Sequence, residues 1–393
     1  MNASRLLFVL EDIEAEFANG FVDRLNKLTQ AYTAARDSPT QDLSTGIRQA
    51  RSELLEYLAE SPLNSYTPSR RQVLVAIGAE SFVADGAAKH IDELLETVGL
   101  SPASVVAALQ TYTSELNQFR KACAQARQGL TALKVKPDRL AQNEAEVGIL
   151  VPRTITKGKL DLVIRQFTDW NRILRGFAEL EGEDEREIAL RMLATGSDQV
   201  FVVTTLAVAV IVAKVIDKVL DWYKKILEIQ AHRLELARLG APVPETDAVK
   251  EHEKHLLDES IVGLVKELMS AAPKPIAKAR KGELENQLTI SIRQIARFVD
   301  QGGDVEVSVP PPPEQEFVTP TDNKGEPLAT AELETKKAEW DALQQQRIQE
   351  WRKLSKKGAA LAAIPARSHP VLQLGEVEEI PVTHEETPKP KEK

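Results

Sequence analysis

Six histidines are the first places to look for chemistry: His90, His232, His252, His255, His369 and His384. His252 and His255 lie three apart in the run HEKHLLDE, among Glu251, Glu253, Asp258 and Glu259. Two imidazoles on one helical face can bind zinc. A zinc-protease helix, however, spaces its histidines four apart, and Leu256 fills that position here. With no third ligand in view, the pair reads as a solvated helix face.

Cys123 is the single cysteine. A nucleophilic thiol needs partial exposure and a cationic neighbour. Arg120 and Lys121 adjoin Cys123 in sequence, yet helical spacing turns them away, so it reads as a core residue. Gly302-Gly303 follows a helical pattern and precedes a strand pattern, the reverse of a phosphate-cradling loop. Thr195-Gly196-Ser197-Asp198 has the right order for an anion site but carries a carboxylate and no lysine, so it reads as a plain helix cap. The acidic run from Glu179 to Glu187 lacks calcium-loop spacing. Lys274, Lys278, Arg280 and Lys281 form one compact basic cluster, with no aromatic side chain to stack on a base. No catalytic residue, metal-ligand set or cofactor motif emerges, so a non-enzyme is the favoured expectation, with an enzyme whose site is assembled from scattered Asp, Glu and Arg residues as a third class.

Composition narrows the classes further. With 59 acidic and 50 basic residues the net charge is -9, which argues against a dedicated nucleic-acid binder. One cysteine permits no disulfide within the chain. The first residues turn acidic too early for a signal peptide, so the expected compartment is the cytoplasm. Hydrophobic residues make up 42%, enough for a sizeable core, while aromatics at 5% suit helix packing better than a β-sandwich.

The elements that would carry these residues are mostly helical. Leu6 to Ala35 places Leu6, Leu10, Ile13, Phe17, Phe21, Leu25, Leu28 and Tyr32 on one stripe. Asp42 to Glu60 forms a second helix, and shorter ones follow to Gly99. From Ser101-Pro102 a long helix carries a heptad seam that includes Leu109, Tyr112, Leu116 and Cys123. Residues 1–136 are thus expected to form a helical bundle.

Short β-branched runs at 146–152, 188–193 and 305–309 predict three strands. The first two flank a helix over 157–180, compatible with a right-handed crossover. Residues 140–309 are expected to form a mainly helical α+β domain, with the small sheet built around one long central helix over 198–239. Its first half, Val200 to Ala213, is apolar nearly all round, with Val200, Phe201, Val203, Leu206, Val210 and Ile211 as its main side chains. Its second half is one-sided and offers Tyr223, Ile226 and Leu227. Helices over 246–270 and 283–300 follow. Residues 310–393 are expected to be a Pro-rich linker, a solvated helix over 331–357 bearing Trp340, Leu343 and Leu354, and a disordered tail. Val371 to Leu374 in that tail is a chance apolar cluster or a short docking segment.

Two functional classes follow. One is a non-enzymatic scaffold that binds protein partners or itself through coiled-coil-like helices and a recruitment tail, with Tyr223, Ile226, Leu227, Trp340, Leu343 and Leu354 as contact residues. The alternative is a membrane-active protein that inserts 200–213. Fourteen apolar residues span about 21 Å as a helix, against a hydrocarbon core of roughly 30 Å, so the first class is preferred.

Overall fold

The computed structural model describes residues 2–98, 101–182, 188–194, 198–238, 246–312, 330–360 and 372. The chain is mainly helical with one four-stranded sheet. It divides into two compact units, each discontinuous in sequence. The first contains Met1–Leu150, Ile188–Ala213 and Asp304–Ala363. The second contains Val151–Glu187, Lys214–Gly303 and Ile364–Lys393. This cuts the chain differently from the expected 1–136 and 140–309, because the strands group with the N-terminal helices.

In the first unit, α1 (Ala3–Glu16) continues through a π-turn at Phe17–Phe21 into α2 (Val22–Asp37). Gly20 sits at φ +108, a conformation that costs glycine little, and the carbonyl it frees accepts from Arg24 Nη1 at 3.1 Å. The bend leaves Phe17 and Phe21 stacked and buried. Around this pair pack α3 (Ser44–Ala59), α4 (Pro68–Ala76), α5 (Ala84–Val98) and α6 (Pro102–Ala132). The predicted stripe on α1 and α2 and the seam on α6, with Cys123 in it, line this core.

The sheet has the order β2-β3-β1-β4, formed by β1 (Glu144–Val151), β2 (Ala189–Ala194), β3 (Asp198–Thr205) and β4 (Asp304–Ser308). β1 and β2 are therefore not neighbours: β3 lies between them. That strand corrects the expected helix over 198–239, whose helical part is α9 (Leu206–Arg238). Val-Phe-Val-Val-Thr-Thr is mostly β-branched, and such side chains fit a pleated surface better than a helical turn. A short apolar run cannot by itself distinguish the two states, and here antiparallel pairing with β2 decides it. Val200 and Phe201 are buried and Val203 half-buried in the strand, while Ile211 is buried in α9. Leu206 and Val210, one helical turn apart, remain 41% and 42% exposed.

Strand register sorts the two faces of the sheet. β1 pairs antiparallel with β4 so that Gly148 opposes Glu306 and Val147 opposes Val307. Glu146, Gly148 and Glu306 share one face with Phe201, and the valines occupy the other. A β-bulge at Arg191 lies between the pairs Leu190↔Val202 and Met192↔Phe201. The extra residue places Leu190 and Leu193 on the same face, opposite Val202 and Val200. On the far edge, α12 (Thr330–Ala360) covers β4, and Trp351 donates its indole N–H to the Val309 carbonyl.

The second unit packs α8 (Leu160–Leu180), which follows the single turn α7 (Arg153–Thr156), with α10 (Thr246–Ser270) and α11 (Lys278–Asp300). Trp170 meets Phe298 edge-on at 5.3 Å. Across helices, Arg293 pairs with Asp258 at 2.8 Å and Lys214 with Glu267 at 2.9 Å.

Gly148 is where the polar face is most crowded. A Cβ there would stand 2.6 Å from Glu306 Cγ and 2.8 Å from the Phe201 ring. Gly148→Ala is therefore expected to destabilise the protein by about 1–3 kcal/mol through overpacking. Urea unfolding midpoints measure it, and an unchanged midpoint would refute this reading.

Candidate functional site

The densest polar chemistry among the described residues lies on the Phe201 face of the sheet. Arg5 enters from the first turn of α1 and is almost fully buried. Its Nη2 donates to both oxygens of Glu146 at 3.0 Å, Nε to Asp138 Oδ2 at 3.4 Å, and Nη1 to Ser69 Oγ at 3.3 Å. The guanidinium also lies 4.3 Å from the centroid of the Phe201 ring, a cation–π contact. From the bulge in β2, Arg191 Nε donates to Asp138 Oδ1 at 2.7 Å and approaches Glu146 Oε2 at 3.3 Å. The bulge thus aims a second cation at the same two carboxylates.

Glu306 completes the group. Its carboxylate accepts from Ser69 N at 3.0 Å and from Ser69 Oγ. Ser69 is the second residue of α4, whose N-cap Thr67 makes no side-chain cap bond. A carboxylate 237 positions along the chain thus satisfies an orphan N–H at the helix start. Glu16 does the same for α5, accepting from Ala84 N at 2.7 Å and from Ser61 Oγ.

Burial pushes the Glu306 carboxyl up from its ordinary value; the Ser69 hydrogen bonds oppose this, the Glu146 charge adds to it, and Arg5 opposes it. Counted by formal charge, the group holds two cations, Arg5 and Arg191, and three carboxylates, Asp138, Glu146 and Glu306. A proton on Glu306 would balance it. Desolvation likewise raises Glu16, and it raises Asp12 despite the hydrogen bond from Tyr66 at 2.7 Å. Beside Asp12, Arg70 and Arg139 both lie against the Phe8 ring, at 4.8 and 5.5 Å.

Arg5 is held on several sides by acceptors and a ring, with every guanidinium nitrogen donating. No free nucleophile stands among these groups, and the chemistry they supply is mutual neutralisation of buried charge. Its members come from α1, the loop at Asp138, α4, β1, β2 and β4, so the cluster ties the sheet to the helices within the first unit. Sequence reading missed all of them. The available signal was an arginine at the edge of the apolar run LLFVL, and a glutamate flanked by hydrophobic residues in each of two strands.

The residues singled out from sequence are not drawn into this cluster, apart from Phe201. His255 is exposed and pairs with Glu259 at 3.5 Å, while the His252 side chain lies outside the described residues. Burial pushes the Cys123 thiol up to about 11, so it stays protonated at neutral pH. Gly302, at φ +83, closes α11 through its N–H to the Val299 carbonyl. Residues 195–197 and 183–187 lie outside the described residues, and with them most of the candidate cap and acidic run. The basic and acidic stretches meet each other within the second unit. Arg280 Nε donates to Glu179 Oε1 at 2.6 Å, and Lys274 Nζ donates to the Gly182 carbonyl at 2.7 Å. Hydrogen bonding from Arg280 holds Glu179 below its ordinary range. Among the described residues, no group of three or more His, Cys, Asp or Glu side chains is placed to hold a metal ion.

Tyr223 and Ile226 are buried and Leu227 half-buried, so they offer little contact surface as folded. Trp340 is half-buried and Leu343 is 53% exposed; the Leu354 side chain lies outside the described residues.

Arg5→Met is expected to cost about 3–5 kcal/mol, because it leaves the buried carboxylates of Glu146 and Asp138 to share Arg191. Adding Glu146→Leu should recover part of that loss, and a double mutant no more stable than Arg5→Met alone would refute the pairing. The raised Glu306 gives a second expectation. Its folded state binds the proton more tightly than the unfolded chain does, so this contribution is full below about pH 4.5 and is lost as pH rises through the folded value. Glu306→Gln should therefore flatten the decline in stability between pH 4.5 and about pH 7, as read from denaturant midpoints at both. Comparison with family models, with curated proteins and with solved structures finds no match to this chain.

Proposed function

We propose that this protein is a non-enzymatic helical scaffold of the cytoplasm, which recruits protein partners or further copies of itself through its C-terminal helix and tail. The observation that carries this reading is the surface of α12. From Glu334 to Gln349 most of its side chains are exposed, and only Trp340, Gln344 and Arg347 are half-buried. Those three recur at four and three residues, so they form the docked stripe. Leu343 and Ile348 flank the stripe at 53% and 39% exposure. A long helix with apolar side chains beside its docked face suits helix-to-helix association.

The second reading is a membrane-active protein. Exposure of Leu206 and Val210 on α9 favours it. Against it, insertion of 200–213 would first require β3 to leave the sheet and Phe201 to leave Arg5. No helix among the described residues is long and apolar enough to cross a membrane.

The test pairs light-scattering mass with co-purification from the native source, for wild type and for Leu343→Glu/Ile348→Glu. Wild type should self-associate or capture a partner, and the double variant should lose that association. Both sites are exposed, so the stability change should stay within about 0.5 kcal/mol per site. A wild-type monomer that captures nothing would overturn the proposal. Binding to liposomes would support the second reading in its place.

A further inference from the structure

The C-terminal segment is rich in Pro, Glu and Lys and has few side chains to bury. Leu372 within it is nevertheless only 3% exposed. Its backbone N–H donates to Asp300 Oδ2 at 3.0 Å. Both residues belong to the second unit.

Asp300 occupies an awkward position for a carboxylate. It is the last residue of α11, where the helix dipole presents its negative end, and it is 5% exposed. A buried carboxylate needs hydrogen-bond donors to offset lost hydration. An N–H from a segment 72 positions away supplies one. The helix end that bears Asp300 is itself well fixed. Phe298 packs on Trp170, and Gly303 lies so close to the Phe298 ring that no Cβ fits there.

We infer that the C-terminal end of α11 is a docking seat for a leucine-anchored peptide, and that its resident occupant is this chain's own tail at Leu372, held as a displaceable intramolecular ligand. The chemistry defines the peptide. The anchor residue buries a branched aliphatic side chain and donates its backbone N–H to the Asp300 carboxylate, which excludes proline at that position. A tethered ligand acts at an effective concentration of about millimolar, so even a weak peptide occupies its own seat. A competing peptide must exceed that concentration or bind more tightly. The inference does not depend on what α12 binds.

The experiment uses the full chain and a fluorescent synthetic peptide of residues 367–377. Leu372→Asp places a second carboxylate beside Asp300 and vacates the seat. By fluorescence anisotropy, this variant should capture the peptide about tenfold or more tightly than wild type, whose seat is filled. A peptide carrying the same Leu→Asp change should bind neither protein. Adding Asp300→Asn to the vacated variant keeps the size and an acceptor oxygen but removes the charge, and should weaken capture several-fold. Equal capture by wild type and Leu372→Asp, or capture by neither, would overturn the inference. Hydrogen exchange of the unaltered protein gives a reading that does not rest on any variant. The Leu372 amide should exchange more slowly than the amides of residues 376–393, and equal rates would also overturn it.

Discussion

A buried guanidinium must be answered by acceptors, and most of the first unit can be understood as the answer to Arg5. The cation stands one turn into α1, next to an apolar run that fixes the helix in the core. Leaving it unpaired there would cost several kcal/mol, roughly the margin by which a domain is stable. Glu146 from β1, Asp138 from the preceding loop and Ser69 from α4 converge on it. Each arrives from a different part of the chain, so satisfying one side chain brings a strand, a loop and a helix start together. The Asp138 N–H also donates to the Ser4 carbonyl at 3.0 Å, which seats that loop against the first turn of α1.

The same demand fixes the strand register. A one-residue slip of β1 would carry Glu146 to the valine face, far from any cation. A one-residue slip of β4 would take Glu306 from the start of α4 and put a valine against Gly148. The bulge at Arg191 solves a related problem on β2. Strict alternation allows only every second residue onto the network face, and the extra residue lets Arg191 and Met192 both reach it. Replacing such a network by aliphatic side chains often leaves stability unchanged or raises it. What an aliphatic face would lose is the penalty that separates the correct register from its neighbours.

The helices were largely legible because their signals are periodic and long. The helix over 246–270 is observed as Thr246–Ser270, and the long helix from Ser101-Pro102 opens there with Pro102 in its first turn, although the Ser101 side chain makes no cap bond. The strand at 198–205 was not legible. Asp198 mimics a helix cap, and no glycine or proline separates the strand from α9, so the two form one apolar run whose first part takes its state from pairing with β2. The charged cluster was hidden for a different reason. Charged residues at the ends and middle of amphipathic segments normally face water, and apolar neighbours are the one local feature that sets Arg5 and Glu306 apart from that majority. Their burial is set by partners more than 60 positions away, with Ser69 nearest to Arg5 and the strand glutamates beyond it.

Within the Arg5 cluster the buried charges neutralise one another. Catalytic groups are held in environments that leave them reactive, with a pKa tuned to the task and an approach for the reactant. The raised carboxylates here, Glu16 and Glu306, are instead spent on capping α5 and α4, and Asp12 on Tyr66. Their perturbation follows from structural duty: a helix start inside a protein requires an acceptor, and a carboxylate brought there loses its water. Elsewhere, apolar side chains that the fold has not used lie on the surface. On α12 those side chains flank a docked stripe, and at the end of α11 a buried carboxylate holds a leucine from the tail. Both are arrangements in which the free energy of association comes from covering apolar area and satisfying a few hydrogen bonds.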